Sequence, residues 1–487
     1  MSLSRMFVVF ALLCMRVSPL PAAEPLLLEE CRITAGPAHA SLKARCGVFL
    51  RPEDPSRPDG KMLELRVAVV AALSLQPTLD PLVPIAGGPG QASSVFYAAS
   101  SESFEKIRRN RDIVLLDQRG TGRSARMDCD MDDDIIEGQV SPEQIRIATL
   151  ACLDSLPHDP RFFTTSVAVT DLEALRVALG YEKFNLYGIS YGTRVAQHFA
   201  RRYPDSTRTV ILDGVVPPQM ALGPAIATEA QLALDNTFAR CAEIAACAER
   251  FSDLAATFAA LNQRLAADAV SVTLAHPVSG KPETVVFSEE ELAGVIRLLS
   301  YHPSTVALIP FLIDEAANDR FVPLAAQYLM ITDAVADALS LGMHNAIICT
   351  EDAPFFGGEA ITEEDLEATY IGPLLVDALR AICSVWPAGV IDENFKTPLK
   401  GDLPVLLLSG DADPITPPGF AEIAAVDLTN SLQLTGKYQG HGQATRGCMP
   451  DVIAAFVERA SVADLDTDCL QRQFAMSFFL GYSGPSP

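Results

Sequence analysis

The chain has 487 residues, of which 49% are hydrophobic and 20% charged, with a net charge of −24 and 11 cysteines. That length allows a catalytic unit plus a sizeable insertion, and the composition excludes long disordered stretches. The acidic balance repels nucleic acid and anionic lipid, so neither is expected as a partner, and no apolar run of about 18 residues follows the N-terminus, which argues against a multispanning membrane protein.

Residues 1–23 read as an export signal. Arg5 gives a positive start, Phe7 to Cys14 an apolar core, and Pro21-Ala22-Ala23 a cleavage region. A lipid anchor on Cys14 fits less well, because Leu13 is large where such a site wants a small residue. Cleavage near Ala23 removes Arg5 and Arg16 and no acid, taking the charge from −24 to −26. It also removes Cys14, leaving an even number of cysteines. These fall into neighbours along the chain: Cys31 and Cys46, Cys129 and Cys152, Cys241 and Cys247, Cys349 and Cys383, Cys448 and Cys469. An oxidising compartment, periplasmic or extracellular, would let them pair as disulfides, although spacing alone leaves the connectivity open. No CxxC pair stands near a histidine at ligand spacing, so no metal is expected, and no cofactor motif is evident.

The first predicted strand is Leu63–Val70, followed by Leu82–Ile85, which runs into Ala86-Gly87-Gly88-Pro89-Gly90. A third, Asp112–Leu116, ends in Asp117-Gln118-Arg119-Gly120. Thr170 with Glu173 has the pattern of a capping box ahead of a helix that Gly180 ends. Phe184–Ile189 reads as a buried strand, Arg194–Arg202 as a helix and Thr209–Leu212 as a strand ending in Asp213-Gly214. This alternation predicts a doubly wound, mostly parallel α/β sheet.

From Pro217 to Leu399 the pattern changes to Ala- and Leu-rich helical sequence. One hairpin is expected there, Val270–Leu274 with Thr284–Phe287, and capped helix starts at Ser288 and Thr362. Strand character resumes at Pro404–Leu408 and Leu432–Leu434. The expected organisation is therefore a core in two parts, residues 24–216 and 400–487, with a mainly helical cap, residues 217–399, inserted between them.

Gly188-Ile189-Ser190-Tyr191-Gly192 fits G-x-S-x-G, with an apolar strand leading in and a helix leading out, the setting of a nucleophile elbow. A serine hydroxyl needs a base, and in this arrangement the partners follow in the order Ser, acid, His. His441 is the one histidine beyond the last predicted strand. The acid should follow Val405–Leu408, where Asp411 and Asp413 compete. The amide of Tyr191 and that of Gly88, in the Gly87–Gly90 loop, are the expected donors to a tetrahedral oxyanion.

Taken together, the Gly87–Gly90 loop, Asp117-Gln118-Arg119-Gly120-Thr121-Gly122 and Gly188–Thr193 resemble the proline iminopeptidase and tripeptidyl aminopeptidase family of serine peptidases, which has the α/β-hydrolase fold. Asp413-Pro414-Ile415-Thr416-Pro417 and Gly440-His441-Gly442 look like the C-terminal segment of its secreted tripeptidyl aminopeptidase branch. The likeness runs from about residue 46 to 470. It implies that Asp413, the aspartate before Pro-x-Thr-Pro, is the triad acid. It further implies an exported enzyme that removes short N-terminal pieces, one to three residues, from peptide substrates through an acyl-enzyme. Ala86 departs from the histidine that proline iminopeptidases carry before Gly-Gly-Pro-Gly. An aminopeptidase needs anions for the substrate's α-ammonium, and Glu351 and Asp352 are the candidates. A carboxylesterase or lactonase on the same scaffold is the alternative, since one triad serves both bonds.

Overall fold

The computed structural model describes residues 26–36, 39–129, 141–358 and 361–485; the expected signal, residues 1–23, lies outside them. A nine-stranded sheet organises the fold. Its strands are β1 (Glu29–Ile33), β2 (Leu42–Pro52), β3 (Met62–Val70), β4 (Thr78–Ile85), β5 (Arg111–Leu116), β6 (Phe184–Ile189) and β7 (Thr207–Asp213). A separate hairpin, β8 (Val270–Ala275) with β9 (Pro282–Phe287), follows, and then β10 (Val405–Gly410) and β11 (Ser431–Gly436) rejoin the main sheet. The spatial order is β1-β2-β3-β5-β4-β6-β7-β10-β11. The first three strands pair antiparallel and β5 onward pair parallel.

The central parallel strands carry continuous apolar runs, such as Ile113–Leu116, Val210–Leu212 and Val405–Leu408, because helices cover both faces of the sheet. In β10 the alternation sends Val405 and Leu407 to one core, with Phe184, Phe199 and Leu212, and Leu406 and Leu408 to the other, with Tyr187, Ile211 and Phe456. Ile85 at the end of β4 lies opposite Gly188 in β6, so the loops leaving these two strands emerge side by side at the carboxyl edge. That edge is where doubly wound sheets bind ligands.

Two local expectations need correction. The helix before β6 spans Thr165–Leu179, and its N-cap is Thr164, whose side chain accepts from the Val167 N–H. Thr170 sits inside the helix and donates to the Val167 carbonyl, an i−3 bond that spends its hydroxyl. The hairpin of β1 and β2, ahead of Leu63, went unpredicted; the charged residues along β2 (Lys43, Arg45, Arg51) disguise the alternation of a strand near the sheet's edge. The capped starts at Ser288 and Thr362 are both formed.

Between β7 and β10 the chain is mainly helical, with helices that include Pro224–Glu243, Leu254–Ala267, Glu289–Leu299, Ile309–Ala317 and Leu374–Cys383. Leu234, Phe258, Leu261, Ile296 and Leu312 give it an apolar core of its own. The C-terminal residues return to it: the Phe479 N–H donates to the Ala307 carbonyl at 2.9 Å, and the Tyr482 hydroxyl donates to Glu315 at 2.7 Å. Five disulfides join the cysteines to their sequence neighbours, Cys31–Cys46, Cys129–Cys152, Cys241–Cys247, Cys349–Cys383 and Cys448–Cys469. Among the described residues no helix is long and apolar enough to cross a membrane.

Candidate active site

Ser190 stands between β6 and the helix Tyr191–Arg202 with φ 55° and ψ −126°, a conformation that costs a non-glycine residue of order 1–3 kcal/mol. Its neighbours make the bend possible. A Cβ on Gly188 would meet the Gly192 carbonyl oxygen at 2.3 Å, and one on Gly192 would meet the Ile85 carbonyl oxygen at 2.2 Å. Only glycine fits at either place, so the elbow presses directly on the end of β4. The Gly87–Gly90 loop then lies against the serine, since a Cβ on Gly87 would come within 2.9 Å of the Ser190 Cβ. Among the described residues, neither the Gly88 nor the Tyr191 N–H has a hydrogen-bond acceptor.

β10 and its loop supply Asp413. One carboxylate oxygen accepts the N–H groups of Ile415 (2.9 Å) and Thr416 (3.0 Å). The other accepts the Thr416 hydroxyl and faces His441 Nδ1, both at 2.8 Å. A carboxylate can only accept, so Nδ1 carries the proton and Nε2 is left with its lone pair. Burial opposes ionisation of Asp413, yet the His441 charge, the His441 hydrogen bond and the N–H groups of Thr416 and Ile415 hold it below the usual carboxylate range. For His441, burial again opposes the charged form, but Asp413 and, more weakly, Asp213 outweigh it and raise the imidazole above its ordinary value. Asp411 plays a different part. Its carboxylate accepts the Tyr438 N–H and so braces the loop that leads to His441.

Asp213, which ends β7, is a residue that the sequence reading passed over as a strand terminus. It is fully buried and accepts the Tyr187 hydroxyl (2.7 Å) and the N–H groups of Gln443 and Ala444, so it holds down the far side of the histidine loop. It also ties that loop to the elbow, because its carbonyl accepts the Ser190 N–H at 2.9 Å. The next residue, Gly214, packs so closely on the imidazole that a Cβ there would lie 2.9 Å from His441 Cε1. No hydrogen bond joins the Ser190 hydroxyl to the imidazole; Asp213-Gly214 touches both residues, through the Ser190 N–H and against the His441 ring. The clue in the sequence was an acid closing the apolar run Val210–Leu212. Tyr301 was also missed, and nothing in the sequence marks it: its carbonyl accepts the His441 N–H at 2.8 Å.

Glu351 and Asp352 do not lie where a substrate ammonium could meet them. Both are fully buried, on the turn Ile348–Asp352 behind the nucleophile helix. Arg194 clamps Asp352 with two bonds of 2.7 and 2.9 Å, and the Leu222 N–H donates to the same carboxylate. Glu351 accepts both the N–H (2.7 Å) and the hydroxyl (2.9 Å) of Thr165. A buried charge must be paired and hydrogen-bonded, and these two acids already are.

The Asp117-Gln118-Arg119-Gly120 segment is structural around the same place. Asp117 accepts from the N–H and hydroxyl of Ser94, Gln118 donates to the Tyr191 hydroxyl at 3.0 Å, and Arg119 binds Asp171 through two bonds. Among the described residues no cluster of three His, Cys, Asp or Glu side chains could hold a metal ion.

A serine on a strained strand-to-helix bend, at the carboxyl edge of a doubly wound sheet, marks a serine hydrolase. The family model for the alpha/beta hydrolase fold matches residues 80–339, and the chain belongs to that family; a second model, described as TAP-like protein, matches residues 368–469. Serine protease Hip1 of Mycobacterium tuberculosis is 26% identical over 473 residues, covering 89% of each chain. Tripeptidyl aminopeptidase of Streptomyces coelicolor is 27% identical over 195 residues, 36% of this chain and 35% of its own. Proline iminopeptidase of Xylella fastidiosa is 30% identical over 141 residues, 28% of this chain and 32% of its own. Among solved structures, proline iminopeptidase of Mycobacterium smegmatis superposes with a TM-score of 0.41 at 18% identity, covering 85% of this chain and 98% of that one. The chain is thus a serine hydrolase of the α/β-hydrolase type, as its motifs led us to expect, and the relatives it resembles are peptidases.

Proposed function

We propose that this protein is an exported serine aminopeptidase that cleaves short N-terminal pieces from peptides. Ser190 is the nucleophile, His441 the base and Asp413 the acid that orients it. The observation that carries this reading is the 2.8 Å contact of Asp413 with His441 Nδ1, which leaves Nε2 free to accept a proton beside the Ser190 elbow.

In this reading His441 Nε2 takes the Ser190 hydroxyl proton as the serine oxygen attacks the scissile carbonyl carbon. The oxyanion is received by the N–H groups of Gly88 and Tyr191. His441 then returns the proton to the leaving amine, and water hydrolyses the acyl-enzyme by the same steps in reverse order of partners. Residues 217–399 act as a cap over the site, with 24–216 and 400–487 as the core. Export is favoured by the N-terminal signal pattern and by five disulfides among the ten cysteines beyond it.

The test has two parts. A fluorophosphonate should label the wild-type protein and fail to label Ser190→Ala. Chromogenic peptides of graded length should be cleaved when their N-terminus is free and spared when it is blocked. Turnover of simple esters with every peptide spared would favour the esterase alternative, and equal cleavage of blocked peptides would remove the aminopeptidase reading.

A further inference from the structure

A buried polar chain runs from the residue after the nucleophile to an acid that the reaction scheme leaves unused. The Tyr191 side chain is 1% exposed and points away from the site into the core, while its backbone N–H faces the bend. The phenol receives a hydrogen bond from Gln118 Nε2 (3.0 Å) and lies 2.7 Å from the Thr165 hydroxyl, which is in turn 2.9 Å from Glu351. Tyr191 and Thr165 each have a single hydroxyl proton. With a carboxylate at the end, the direction of each bond is fixed: Thr165 donates to Glu351, Tyr191 donates to Thr165, and Gln118 donates to Tyr191. An uncharged side chain in place of Glu351 would remove that polarity and let the chain reverse.

The surroundings hold Glu351 in place. Its turn is tied by the Cys349–Cys383 disulfide to the helix Leu374–Cys383. Arg194, one turn along the nucleophile helix from Tyr191, lies 3.6 Å from Glu351 and binds Asp352 directly. The nucleophile helix is therefore fastened at two levels to one acidic turn.

Resting on the serine-peptidase reading above, we propose that Glu351 is a positioning residue for the oxyanion site, acting through Thr165 on Tyr191 and so on the Tyr191 backbone N–H. An oxyanion donor works only within a few tenths of an ångström of its mark. Fixing the phenol fixes the rotation of the first helical residue about the bend, which aims that N–H. The charged groups facing Glu351 are Arg194 on the nucleophile helix and Asp352 on its own turn, with Lys396 and His344 reaching Asp352. Burial, only partly offset by Arg194, lifts the Glu351 carboxyl to about 7. The chain is thus set to lose its polarity on mild acidification.

The decisive experiment compares wild type, E351Q, Y191F and the double variant by kcat and KM on a free-N-terminus peptide p-nitroanilide, and by fluorophosphonate labelling rate. E351Q should lower kcat roughly ten- to thirtyfold with KM little changed, a smaller loss than deleting an oxyanion donor outright. Y191F should lower it comparably, and the double variant should be no worse than the worse single. The acid limb of the pH profile should lose one ionisation in E351Q. Unchanged kcat in a folded E351Q protein, multiplying effects in the double variant, or a rise in KM alone would overturn the proposal. If E351Q does not fold, Y191F decides, since unchanged kcat there sinks it equally. A wild-type protein that resists labelling would instead remove the serine-peptidase reading itself.

Discussion

The ring of Tyr301 stands edge-on to the imidazole of His441, with centroids 5.3 Å apart and planes at 74°, while its carbonyl accepts the His441 N–H. A residue of the helical segment between β7 and β10 thus touches the histidine by ring and backbone at once. Such aromatic pairs contribute about 0.5–1.5 kcal/mol. Tyr301→Ala should therefore lower kcat about two- to tenfold, and Tyr301→Phe, which keeps the ring, should stay near wild type. Steady-state kinetics of the two variants will check this; equal losses in both would assign the effect to the hydroxyl and its bond to Arg297.

The two aspartates after β10 should separate cleanly. Asp413→Asn leaves the shape but disturbs the tautomer that presents Nε2, and kcat should fall on the order of 10⁴-fold. Asp411→Asn touches only the loop brace at Tyr438 and should cost far less. A comparable collapse in both variants would show that the assignment of the acid is unsafe.

Activity should depend on pH through His441. The base must be neutral to accept the serine proton, and its pKa is raised above 6.5 by Asp413, against the effect of burial. A raised pKa keeps the proton on to higher pH, so kcat/KM should be low in acid and climb through a midpoint above 6.5. Asp413, held below its ordinary value, stays ionised throughout. A profile between about pH 5 and 8 will show the limb; a midpoint below 6.5 would contradict the environment described for the imidazole.

The Cys349–Cys383 bridge closes a loop with a sequence separation of 34. Replacing both cysteines by serine should cost roughly 3–4 kcal/mol of stability, read from chemical denaturation without reductant. It should also lower kcat, because the turn it secures carries Glu351. Removing Cys31–Cys46, on the hairpin at the far edge of the sheet, should leave kcat alone. Identical kinetic consequences for the two bridges would argue against a link from this turn to the elbow.

The central strands were legible because burial on both faces writes a continuous apolar run, as in Phe184–Ile189 and Val405–Leu408. Ser190 and His441 stood out as candidates through chain order and glycine placement, whereas Asp413 was preferred to Asp411 only through the resemblance of its Pro-x-Thr-Pro segment. Glu351 and Asp352 were offered for a substrate ammonium because acids in an Ala-rich helical stretch look free to meet a ligand, and sequence does not reveal that Arg194 and Thr165, more than 150 residues upstream, already hold them. Thr170 misled in the opposite way, imitating a cap within a helix that the less conspicuous Thr164 begins.

The pairing of Val210 in β7 with Val405 in β10 joins neighbours about 195 residues apart along the chain. At ordinary elongation speeds of 5–20 residues per second, the second partner leaves the ribosome roughly ten to forty seconds after the first. During that interval the nascent molecule already carries Ser190 but has neither Asp413 nor His441, the acid and imidazole proposed to activate it, so a hydrolase of this design is inert until residue 441 has been made.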